Sequence, residues 1–265
     1  MKIDLPIDLP DEFLALALEL ADTARPIAMR YFTEGVSSTQ KSDNSPVTVA
    51  DQEIEMIFRN MISDRFPEHG ILGEEYGSFN LDAKYIWVLD PIDGTHCFTA
   101  GFPLFGALIA LLEDGKPVLG IIDAPAMGKQ WIGIRGQPST LNGEPIKTRD
   151  STNLDQSWIT ASSPFMFEEG PERESYNRLQ HSSSQRPVFS GGCIAYGLLA
   201  SGRMDIVVEA DLGVYDFMAV VPVIEGAGGL MTDWHGEALT LQSEGQVLAA
   251  GNQALHSQAL DKLKG

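Results

Sequence analysis

Asp90-Pro91-Ile92-Asp93-Gly94-Thr95 places two carboxylates, a glycine and a hydroxyl within six residues, directly after the apolar run Tyr85 to Leu89. Carboxylates bind hard cations, and N–H groups at a helix start attract anions. Side chains alternate along an extended chain, so Asp90 and Asp93, three apart, need a turn at Pro91-Ile92 to face one ion. Pro91 has no N–H to donate, and the strand is expected to stop after Leu89. Gly94 permits a tight turn, and Thr95 can cap a following helix. The same hexapeptide is also a good surface turn, and its residues alone leave both readings open.

Other acids are delivered in a similar way. Ile71-Leu72-Gly73 runs into Glu74 and Glu75, and Asp216 sits where a helix would begin. Asp51 falls in the first turn of another helix, where a carboxylate also serves simply as a cap. If Glu74, Asp90, Asp93 and Asp216 converge, each pair about 4 Å apart repels by roughly 4 kcal/mol at an effective dielectric of 20. Cations are then required. Magnesium suits carboxylate, carbonyl and water oxygens, and the Ile92 carbonyl is placed to add one more. Such a site accepts a phosphate dianion and fits the two-metal pattern of in-line displacement, with a free carboxylate to take up a proton.

The elements that must hold these groups can be read from periodicity. A helix is expected from Pro10-Asp11, with a kink or break at Pro26, and a second carries Ile54, Ile57, Phe58, Met61 and Ile62 on one face up to Pro67. Ser37 to Pro46, with Lys41 as its one cation, reads as a loop or irregular hairpin. Leu104 to Leu112 and Pro117 to Ile122 form a hairpin across Asp114-Gly115, Gln130 to Arg135 adds a strand, and Asn142-Gly143 marks another tight turn. Beyond a polar stretch near 148–155 the pattern alternates. Strands are expected at Trp158 to Ala161, Val188 to Ser190, Met204 to Val208 and Leu230 to Thr232. Helices are expected at Glu168 to Gln180, Ile194 to Ala200 and Tyr215 to Glu225. The expectation is an α/β protein of two subdomains: 1–150, carrying the metal and phosphate motifs, and 151–265, on the substrate side.

Composition bounds the class. The 265 residues suffice for a large core, and the formal net charge of −19 would repel a polyanion, so no nucleic acid is expected as partner. No apolar run of about 18 residues and no basic-then-apolar amino terminus occurs, so neither a membrane span nor a signal peptide is expected. Cys97 and Cys193 are too few for a disulfide framework, which points to the cytoplasm.

Three separated segments carry a resemblance: Glu74-Glu75 after a glycine, Trp87 to Thr95, and Tyr215-Asp216 followed by Glu225-Gly226-Ala227-Gly228-Gly229. Together they resemble the inositol monophosphatase superfamily over nearly the whole chain. The resemblance implies a layered α/β/α/β/α sandwich, a homodimer and a magnesium-dependent phosphomonoesterase using two or three ions. Glu74, Asp90 and the Ile92 carbonyl would hold the first ion, and Asp90, Asp93 and Asp216 the second. Glu74 and Thr95 would position the attacking water, with Asp51 hydrogen-bonded to Thr95. The Gly94 and Thr95 amides would cradle phosphate. Lys41 would reach the site from the amino-terminal loop, and Glu209 would contact the substrate's hydroxyl or amine groups.

The segments around Gly192 to Gly202, Glu209 to Asp216 and Val221 to Gly226 are most similar to the histidinol-phosphate phosphatase branch. Two positions depart from it. Gly192 stands where that branch has an aspartate, and His96 where it tends to carry arginine. Both bear on the substrate and leave the phosphatase chemistry intact. Histidinol phosphate is the first expectation, inositol phosphate, another sugar phosphate or a nucleotide 3′-phosphate the second, and a non-catalytic metal- or anion-binding protein the rival of another class. His69, His181, His235 and His256 have no zinc-ligand spacing and read as surface residues. Cys97 reads as a small buried hydrophobe, and the four tryptophans as core.

Overall fold

The computed structural model describes residues 9–35, 39–40, 46–189 and 191–265. Among these residues, eight strands form one sheet in the spatial order Glu144–Pro145, Thr140–Leu141, Lys129–Ile134, Lys116–Ala124, Gly106–Glu113, Tyr85–Asp93, Gly70–Gly73 and Gly77–Phe79. All neighbours are antiparallel except Gly70–Gly73 against Tyr85–Asp93. The two-residue turn at Asp114 (φ 49°) and Gly115 (φ 75°) joins the central hairpin, as the Asp-Gly signal predicts. The second sheet has the order Val188–Phe189, Ile159–Ala161, Ile206–Glu209, Val247–Ala250 and Leu230–Thr232. Its first three strands are parallel and its last two are joined antiparallel.

Period-2 alternation builds five layers from these sheets. Trp87, Leu89, Ile109, Leu111 and Ile121 face the helices Asp11–Glu34 and Val49–Arg65. Ile86, Val88, Leu108, Ala110 and Ile122 face the opposite way, onto the middle helices Cys193–Ala200 and Val220–Gly226, which also cover Val207 and Ala249 of the second sheet. Ile206, Val208 and Leu248 pack on the outer helices Pro171–Gln180 and Gln253–Lys264. The architecture is the expected α/β/α/β/α sandwich.

Several local expectations are corrected. Helix Asp11–Glu34 runs unbroken through Pro26, because Ala17, Leu20, Ala21, Ala24 and Ala28 pack against the core on both sides of it. Pro26 and Asp22 lie on the solvent face, where water can satisfy the carbonyl that the proline cannot serve. The helix expected at Tyr215 to Glu225 is two helices, Val214–Phe217 and Val220–Gly226, with Pro222 in the first turn of the second, where an N–H has no helical partner anyway. His69 and His256 are buried, not on the surface: His69 Nδ1 accepts from Trp87 Nε1 at 3.1 Å, and His256 Nε2 bonds Thr232 Oγ1 at 2.8 Å. Burial lowers both pKa values, that of His256 to about 4. His181 and His235 are exposed as expected. Cys97 is half-buried, Trp158 is half-buried, and the other three tryptophans are core.

Candidate active site

The strand Tyr85–Asp93 ends in the site, and it does not stop at Leu89. Its ladder with Gly106–Glu113 pairs Asp90 with Leu108 and then Asp93 with Gly106, so three steps on one strand match two on the other. That is a β-bulge at Pro91-Ile92, and the proline's missing N–H falls where the ladder is already interrupted. The extra residue also reverses the alternation. Asp90 follows Ile86 and Val88 toward the middle layer, Ile92 joins Trp87 and Leu89 on the opposite face, and Asp93 returns to the side of Asp90. Asp90 Oδ1 accepts the Ile92 N–H at 3.0 Å, which holds the bulge.

Asp216 arrives from the opposite wall, in the first turn of Val214–Phe217, where its Oδ2 accepts the Gly213 N–H at 2.7 Å. One carboxylate oxygen each from Asp90, Asp93 and Asp216 lie within 4.8 Å of one another. Burial raises the pKa of Asp90 well above the usual carboxylate range, and the charges of Glu74, Asp93, Asp216 and Asp51 raise it further. Asp216 is raised in the same way by burial, Asp93 and Glu74. Asp93 is raised by burial too, against the pull of the Cys193 N–H, which donates to its Oδ2 at 2.6 Å. The charge of Glu74 acts on all three aspartates, but among the described residues the carboxylates that lie within 4.8 Å of one another are those of Asp90, Asp93 and Asp216, without Glu74.

Asp51 is buried, and burial lifts its pKa to about 6 despite two hydrogen bonds. Its Oδ2 accepts from the backbone and hydroxyl of Thr48, the N-cap of its helix, while Oδ1 has no partner among the described residues. The expected bond to Thr95 is not made. Thr95 instead donates its hydroxyl to the Ile92 carbonyl at 3.1 Å, because Gly94 (φ 84°, ψ 35°) caps the helix Thr95–Ala100 and leaves Thr95 as its first residue. A side chain at Gly94 would lie 2.6 Å from the Leu104 carbonyl, so only glycine fits. His96 is exposed on that helix, and Lys41 lies outside the described residues.

Gly192 and Glu209 depart from a simple substrate contact. Gly192 (φ 41°) caps helix Cys193–Ala200, and a Cβ there would overlap the Asp93 carboxylate. Glu209 is fully buried with both oxygens occupied: Ser162 donates its N–H, at 3.0 Å, and its hydroxyl to Oε1, and Tyr196 donates to Oε2 at 2.7 Å. Burial outweighs these bonds and lifts its pKa to about 7. Gly192 N–H in turn donates to Ser162 Oγ at 3.2 Å, so Glu209 braces the helix end that holds Asp93. Thr48, Ser162 and Glu55, whose carboxylate meets the loop after Glu74, are supporting residues that sequence reasoning missed. For Glu55 one signal existed, its spacing of four from Asp51 on the same helix face.

The donor set suits divalent cations. It consists of hard oxygens, it concentrates buried like charges that cations would neutralise, and Asp51 Oδ1 is buried without a partner among the described residues. A profile of the inositol monophosphatase family matches residues 9–264. The chain is 43% identical over 263 residues to the chloroplastic bifunctional phosphatase IMPL2 of Arabidopsis thaliana, covering 96% of this chain and 75% of that protein. It is 33% identical over 237 residues to a histidinol-phosphatase of Chlorobaculum parvum, covering 89% of this chain and 91% of that one. An inositol monophosphatase from Zymomonas mobilis superposes with a TM-score of 0.89 at 40% identity, over 98% of this chain and 100% of its own. Fold and site together define a phosphomonoester hydrolase. Within that class, the chain belongs to the inositol monophosphatase family.

Proposed function

We propose that the protein hydrolyses a small-molecule phosphomonoester with magnesium as cofactor, two or three ions per site, and that histidinol phosphate is its substrate. The observation that carries the hydrolase reading is the convergence of Asp90, Asp93 and Asp216 within 4.8 Å, in surroundings that raise the pKa of all three. Glu74, Asp90 and the Ile92 carbonyl would hold one ion, and Asp90, Asp93 and Asp216 another. When bound, such ions neutralise the acids and the phosphate, polarise the phosphoryl group and make water more acidic. The chain's own groups do the rest. Glu74 and Thr95 orient the attacking water, Asp51 offers its buried Oδ1, which has no partner among the described residues, as a proton acceptor near neutrality, and the Gly94 and Thr95 amides hold phosphate oxygens. A cytoplasmic homodimer accompanies this reading: two cysteines in 265 residues are too few for a disulfide framework, and the family resemblance supports the dimer.

Histidinol phosphate is supported by the names of the relatives from Chlorobaculum parvum and Mycobacterium tuberculosis, each 33% identical. One observation favours a second reading, an uncharged polyol phosphate such as inositol phosphate. Position 192 has no room for an acid, and Glu209 already accepts three hydrogen bonds, so neither position offers an ammonium group a free carboxylate. Phosphate release from an aryl phosphate, with magnesium and with chelator, tests the hydrolase. No release at any magnesium concentration from folded protein leaves the non-catalytic binding protein. Comparing kcat/KM for histidinol phosphate and inositol phosphate decides the substrate: a preference of about tenfold for either, equivalent to about 1.4 kcal/mol, selects it.

A further inference from the structure

We propose that Glu55 is a positioning residue for Glu74, a buried carboxylate on a rigid helix that fixes the turn bearing Glu74 by accepting the two amides behind it. The inference rests on the reading of Glu74 as a residue that holds a cation and orients water.

Glu55 lies in the middle of helix Val49–Arg65 and is 0% exposed. Its Oε2 accepts the Glu75 N–H at 2.7 Å, and its Oε1 accepts the Tyr76 N–H at 3.1 Å and Arg59 Nε at 2.8 Å. Arg59 also donates through Nη2 to the Gly77 carbonyl. The Glu74 N–H donates to the Leu89 carbonyl at 3.2 Å, on the strand that carries Asp90 and Asp93. All three amides of the turn between Gly70–Gly73 and Gly77–Phe79 are therefore pinned, one to the site strand and two to the helix. Gly73 completes the fit, because a Cβ there would overlap the Glu55 carboxylate.

A hairpin turn at a sheet edge does not need this. Gly77–Phe79 is exposed along its length and Tyr76 is 45% exposed, so water could serve the same amides. Burying a carboxylate is unfavourable unless it is paired and fully hydrogen-bonded, and a helix-borne acid with an arginine partner and a dedicated glycine is more than a surface turn requires. What it secures is the backbone directly behind Glu74. Asp51, one helical turn before Glu55, faces the same cluster, so a single helix supplies one acid to the site and fixes another.

The test compares Glu55→Gln, Arg59→Gln and Glu74→Gln by magnesium-dependent thermal shift, by kcat and KM on an aryl phosphate, and by amide exchange at Glu75 and Tyr76. Glu55→Gln presents an NH2 to an amide and cannot accept both. It should open the two amides to exchange, raise the magnesium midpoint and lower kcat by about tenfold or more, and change KM less than about threefold. Lost protection with the magnesium midpoint and kcat both within about twofold of wild type overturns the inference, since the clamp would then serve the turn alone. If Glu55→Gln does not fold, Arg59→Gln is read by the same measurements. A magnesium midpoint raised about threefold supports the inference, and an unchanged one overturns it. Glu74→Gln separates the two levels: wild-type behaviour there sinks the reading of Glu74 itself, whereas loss there with none in Glu55→Gln sinks only the positioning role.

Discussion

Asp90→Asn should make the metal-free protein more stable and the enzyme inactive. At 4.8 Å, the outer limit of the spacing among Asp90, Asp93 and Asp216, two ionised carboxylates repel by about 3.5 kcal/mol at an effective dielectric of 20. Removing the Asp90 charge deletes two of the three pairs, roughly 7 kcal/mol if all were ionised. The protein escapes part of this by binding protons, as the raised pKa values show, so the recoverable amount is smaller, about 2–3 kcal/mol or about 5–10 °C in Tm. The sign with pH follows from the direction of the shift. A carboxyl whose pKa is raised in the folded state is unpenalised below the unfolded value of about 4, and it costs increasing stability as pH rises from there toward the folded value. The advantage of Asp90→Asn should therefore be larger at pH 8 than at pH 5. Asparagine keeps the Oδ1 acceptor for the Ile92 N–H, so the bulge survives. Thermal unfolding in chelator at both pH values, repeated with magnesium, measures the effect. A variant less stable than wild type at pH 8 in chelator would refute the electrostatic reasoning, and retained magnesium stabilisation or turnover would refute the metal assignment.

Two further predictions concern single residues. Gly192→Ala forces a Cβ onto the Asp93 carboxylate in a left-handed backbone, so magnesium affinity should fall at least about tenfold and stability by about 1–3 kcal/mol, read by thermal shift with and without magnesium. Wild-type values for both would show that the helix end yields freely. His256 is held neutral in the fold, its pKa depressed to about 4, so it contributes stability that is present above its unfolded pKa of about 6.5 and is lost as pH falls from there toward 4. His256→Gln, which keeps a partner for Thr232, should lose less Tm than wild type between pH 7 and 5. Parallel curves would place the acid sensitivity elsewhere.

The order of strands and helices was largely readable because periodicity and turn chemistry are local. Asp114-Gly115 and Asn142-Gly143 adopt positive φ at both positions, as two-residue hairpins require. What failed depends on partners far along the chain. A buried histidine cannot be told from an exposed one by its neighbours when its partner, Trp87, is 18 residues away. Pro26 would break an isolated helix, but the apolar face of this one is anchored on both sides of it. Glu55 shows in the sequence only its spacing of four from Asp51, and its amide partners lie in a loop 20 residues downstream that folds onto it.

The same limit decides the strand that ends in the site. Asp90 and Asp93 were legible as candidate ligands, and the difficulty of making residues three apart face one ion was legible as well. Its solution was not, because a bulge exists only relative to a partner strand. The proline that seemed to end the strand sits at the one place where the ladder can spare an N–H, and there the extra residue brings Asp93 to the side of Asp90. Had the strand stopped at Leu89, the two carboxylates would have hung from a loop. Carried to Asp93, they are held in a sheet that is buried on both faces, which keeps three like charges within 4.8 Å and concentrates the field that a cation would answer.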